Sequence, residues 1–90
     1  MQKKQTWFDR SINLLSIARR SGNDAAVTLA EDARSHFVEA SALRRTNYVD
    51  ARAAHAGGLL AQSEHRKGTK AFRQAERLLG LADESDRRAA

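Results

Sequence analysis

The stretch Thr46–Ala82, TNYVDARAAHAGGLLAQSEHRKGTKAFRQAERLLGLA, decides how many helices the chain builds. It is rich in alanine, leucine and arginine, all strong helix formers. Glycines punctuate it at Gly57, Gly58, Gly68 and Gly80. Gly68 followed by Thr69 reads as a stop and a new cap, because glycine ends helices and threonine begins them. One helix is then expected over 47–67, capped by Thr46 or Asn47 with Asp50 in its first turn. A second is expected over 70–82, with Gly80 near its end. Gly57 and Gly58 fall mid-helix, where each costs about 1 kcal/mol relative to alanine. Either the helix breaks there, or another backbone passes close. The small residues Ala53, Gly57 and Ala61, four apart, favour close packing. The apolar stripe is expected at Val49, Ala53, Ala56 and Leu60, then at Ala71, Phe72, Ala75, Leu78, Leu79 and Ala82.

Upstream, two further helices are readable. Thr6-Trp7-Phe8-Asp9 has the form of a capping box with a shortened acid, opening a helix over 7–20. Arg19 and Arg20 suit its negative C-terminal end, and Gly22 suits the left-handed turn beyond it. Asn23 or Asp24 caps the next helix, 24–45, which closes on Arg44 and Arg45. Its apolar residues Ala26, Leu29, Ala30, Ala33, Phe37 and Ala40 share one stripe. The expected fold is all-α: a small bundle of four helices, about 7–20, 24–45, 47–67 and 70–82, in up-down order with short turns. Residues 1–82 form one domain, and 83–90 form a frayed polar tail.

Composition narrows the function classes. The chain has 90 residues and a hydrophobic fraction of 41%, much of it alanine. An alanine-rich core buries little area per residue, so self-association, as in a homodimer, would add stability. Cysteine is absent, which removes disulfides and thiolate metal sites. No apolar run approaches a membrane span, and polar residues interrupt the N-terminal segment where a signal peptide would be apolar. A cytoplasmic location with no membrane partner is the default. The alanine and arginine content fits a GC-rich bacterial or phage genome. The net charge of +5 favours an anionic partner without demanding one.

Each chemical motif has a plainer counterpart. No Gly-x-Ser-x-Gly turn and no glycine-rich phosphate loop is present, and Ser35–His36 and Glu64–His65 are adjacent on helices, where neighbours do not face each other. No catalytic residue, cofactor or metal is expected. Asp32, His36 and Glu39 share one helix side, but a metal would need His55 or His65 from another helix. A boundary histidine is the simpler account. Arg19–Arg20 and Arg44–Arg45 are explained by helix-dipole complementation. A helix-turn-helix reader would place Tyr48, Arg52 and His55 on one row, but the glycine pair follows it directly. The alternative segment begins with Asp24, Glu31 and Asp32, which repel phosphate.

Two binding surfaces remain. The apolar residues of the first helix, Trp7, Phe8, Ile12, Leu14, Leu15, Ile17 and Ala18, spread over an arc of about 220°, wider than a single bundle contact requires. Trp7, Leu14 and Ile17, with Arg10 at the rim, are the expected contact with a protein partner or a second copy. The expected function is a non-catalytic protein-interaction module: a regulator, adaptor or inhibitor. The alternative is a basic nucleic-acid-binding protein such as a transcriptional regulator. It would use Arg66, Lys70, Arg73 and Arg77, which share one face only if helix geometry runs on through Gly68.

Overall fold

The computed structural model describes residues 5–81. They form three helices, α1 (Trp7–Ser21), α2 (Asp24–Arg45) and α3 (Ala51–Leu78), and no strand occurs among the described residues. The all-α class holds; the four-helix count does not. The two helices expected over 47–67 and 70–82 are one helix of 28 residues. It runs unbroken through Gly57, Gly58 and Gly68.

The reason lies in what faces two of those glycines. A Cβ at Gly68 would stand 2.6 Å from Cε1 of Phe37. A Cβ at Gly57 would fall within the Tyr48 ring and hydroxyl. Both glycines are therefore notches in a helix that receive aromatic rings. Packing offsets the cost of about 1 kcal/mol that a helical glycine carries. The close neighbour expected near Gly57 is a side chain rather than a backbone. Thr69 caps nothing; its hydroxyl donates back to the Arg66 carbonyl within the helix.

The caps explain the remaining boundaries. Thr6 Oγ1 accepts from the Asp9 amide and Asp9 accepts from the Thr6 amide, completing the capping box of α1. Gly22, at φ 73°, ends α1 in the left-handed region. Asn23 then accepts from the Ala26 amide and opens α2. The cap of α3 is Asp50, whose carboxylate accepts from the Ala53 amide at 2.8 Å. Thr46 and Asn47, expected to cap this helix, instead lie in the link. The Thr46 hydroxyl donates to Ala42 and the Tyr48 hydroxyl to Leu43, so both tie the link back onto the end of α2. Past α3, Gly80 at φ 74° lets the Leu81 amide reach the Glu76 carbonyl.

The helices run up, down and up, with the largest interface between α2 and α3. The core joins Leu14 and Leu15 of α1, Ala30, Ala33 and Phe37 of α2, and Ala71, Phe72 and Ala75 of α3. The α2 stripe lies inward as expected, with Leu29 half-buried. The stripe expected at the start of α3 does not. Val49 lies outside the helix and is 93% exposed, and Leu60 is 57% exposed. Gly57 and Ala61 face inward instead. At Gly57 the small row wins because the Tyr48 ring fills the space a larger side chain would need. The polar tail expected over 83–90 lies outside the described residues.

Candidate functional site

Trp7 opens α1 and leans on the other two helices. Its ring centroid lies 5.7 Å from Phe37, 5.5 Å from Phe72 and 5.7 Å from His65. The Phe72 and His65 contacts are edge-to-face, the arrangement that ring quadrupoles favour. One turn later the Arg10 guanidinium lies 4.2 Å above the indole and 5.1 Å from the Phe72 ring, a cation held on two aromatic faces. Burial lowers the pKa of His65, and the neighbouring Arg44 charge lowers it further. The imidazole is therefore neutral at pH 7.

Among the described residues, α1 begins well short of the end of α2. Trp7 meets α2 at Phe37, while α2 continues eight residues further, to Arg45, about 12 Å of helix. At the step lies an open groove of about 660 Å³. Phe37, Val38, Ala40, Trp7, Phe8 and His65 line it, with Trp7 and His65 in contact with each other. Arg44 and Arg45 stand on its rim. Phe8 is 37% exposed and Val38 47%, while Ile12, one turn after Phe8 on the same helix edge, is 42% exposed.

The residues expected to meet a partner are divided by this geometry. Leu14 is 3% exposed and belongs to the core. Trp7 is partly buried and packed inward, and Arg10 covers it. Ile17 alone of the four is an exposed apolar side chain, at 38%. The wide apolar arc of α1 has a simple cause. This helix lies over the seam of a hairpin, so it buries a broad stripe and leaves both edges half-covered.

His36 sits where α2 meets α3. Its Nδ1 lies 2.6 Å from Glu64 Oε2, and its Nε2 lies 3.5 Å from Asp32 Oδ1. Lys67 approaches the other Glu64 oxygen at 3.5 Å. The hydrogen bond with His36, aided by the Lys67 charge, holds the Glu64 carboxyl below its ordinary pKa. Both imidazole nitrogens face carboxylates directly, so the arrangement is a polar clasp between α2 and α3. Glu39 is exposed and takes no part, and His65 is held by Trp7 and Phe37 instead. Glu64 was the partner that sequence spacing missed. No periodicity within α2 points to a residue 28 positions away.

The basic residues Arg66, Lys70, Arg73 and Arg77 all lie exposed on α3. The helix is continuous between them, so they share one face within about 60°. Tyr48, which a helix-turn-helix reader would place on one row with Arg52 and His55, is folded against Gly57 with its hydroxyl on the Leu43 carbonyl. No protein-family model matches the chain, no curated protein matches it, and no solved structure matches it.

Proposed function

We propose that this protein is a non-catalytic interaction module that seats a protein partner, or a second copy of itself, in the groove at the α1 step. The observation that carries this reading is the composition of the groove. Apolar and aromatic side chains line it together with two arginines. Aromatic and arginine side chains supply most of the energy of protein interfaces, with apolar centres and polar rims. Phe8, Ile12 and Val38 extend the apolar surface along the α1–α2 edge, where a docked helix would bury them. The cationic rim favours a segment carrying carboxylates beside its apolar anchors.

The test places a photo-crosslinking amino acid at Val38 in the native cell, with Thr28, on the outer side of α2, as the control. Adducts to another protein or to a second copy, formed from Val38 and not from Thr28, are the expected result. No adduct from Val38, or equal adducts from both positions, would refute the reading. Trp7→Ala is a poor test of docking, because Trp7 supports the fold. Ile12→Asp and Val38→Asp remove surface apolar contacts and leave the core intact.

A further inference from the structure

The outer face of α3 has a chemistry that the groove does not use. The buried side of the helix is set by Gly57, Ala61, Gly68, Ala71, Phe72 and Ala75. Arg66, Lys70, Arg73 and Arg77 point the opposite way, at 100° per residue. Gln62, Ser63 and Gln74 flank them, and all seven side chains are exposed. The helix has two acids, and neither joins this face. Glu64 is turned to His36, and Glu76 is buried. Among the described residues, no carboxylate lies within ion-pair distance of the four cations. The result is a straight row of positive charge about 16 Å long, bordered by hydrogen-bond donors.

We infer that this face binds the phosphate backbone of double-stranded DNA. A row of evenly spaced cations complements an evenly spaced row of phosphates, whose neutralisation releases bound counterions. An ordinary solvated helix face carries both signs of charge, whereas this row excludes acids over about three turns. A membrane surface would require apolar side chains beside the cations; exposed Leu59 shares the face but stands two turns before Arg66, and from Gln62 to Arg77 the face has none. A protein partner would need an apolar or aromatic anchor among the cations, and between Arg66 and Arg77 the row has none. No aromatic side chain interleaves the row, so stacked single-stranded bases have no platform. The proposal uses a surface separate from the groove, and each can fail without the other.

The experiment is fluorescence anisotropy with a labelled mixed-sequence duplex of about 20 base pairs, repeated at several salt concentrations. Wild-type affinity should fall by about 100-fold or more between 50 and 200 mM salt, as expected for at least four neutralised phosphates. Arg66→Gln/Arg73→Gln should weaken binding at 50 mM and lower the slope of log affinity against log salt by about 2. Arg20→Gln/Arg34→Gln removes the same charge from exposed positions of α1 and α2 and should leave that slope unchanged. Circular dichroism verifies that both variants stay folded. Absence of duplex binding at 50 mM salt, equal effects of the two double variants, or tighter binding of the matching single strand would each overturn the proposal.

Discussion

Glycine has opposite roles at three positions of one helix. Gly58 has open space where a Cβ would stand, so Gly58→Ala should stabilise the protein by about 0.5–1 kcal/mol through helix propensity. Gly57→Ala and Gly68→Ala should instead destabilise it by about 1–3 kcal/mol, because each methyl group meets a ring. Urea unfolding of the three variants checks the contrast. In a Tyr48→Ala background the Gly57→Ala penalty should disappear, since the obstructing ring is gone. Trp7→Ala should cost about 3 kcal/mol, for it removes three ring contacts and the seat of Arg10. The capping residues were legible in sequence wherever the chemistry was local, as at Thr6, Asp9 and Asn23. The notches were not, because a glycine that stops a helix and one that admits a ring are written identically.

At the scale of elements, the α2–α3 seam ties folding to pH. The pKa of His65 is lowered from its ordinary 6.5, so the fold prefers the neutral ring. Its contribution is complete above pH 6.5 and is lost as pH falls through the lowered value. Glu64 is lowered from 4.5, so its contribution is complete above that value and is lost as pH falls through the folded one. The melting temperature should therefore decline on acidification in two steps. His65→Phe should flatten the first, and Glu64→Gln the second; thermal melts between pH 7 and 3 read both. The extents of α1 and α2 were legible because each has a cap at its start and an arginine pair at its close, with Gly22 beyond the first. The third helix was read as two because Gly68-Thr69 carries strong local punctuation, and only the position of Phe37 in space cancels it.

Over the whole molecule, eight of the twelve buried apolar residues described are alanine, so cohesion is concentrated in a few rings and leucines. The hairpin of α2 and α3 holds the broadest interface, and α1 is shorter and covers only part of it. Amides of α1 should exchange with solvent at lower opening free energy than those at the centres of α2 and α3. Native-state hydrogen exchange measures this directly, and equal protection of all three would contradict it. The basic surface was legible as a condition, that Arg66 to Arg77 share a face if the helix continues, and the helix does continue. The groove was not legible, since it arises from the unequal lengths of helices that meet only in three dimensions.

The two ring-and-notch pairs have a joint consequence. Phe37 and Tyr48 stand eleven positions apart, as do Gly57 and Gly68, so the antiparallel hairpin is pinned twice at matching intervals. Sliding one helix by a turn would set Phe37 against Glu64 or Phe72, and Tyr48 against Ala53 or Ala61. Both pins would leave their slots together, and no neighbouring alignment offers two vacancies at the same spacing. A hairpin made largely of alanine, which on stickiness alone would fit itself in many alignments, is thus indexed like a two-toothed key.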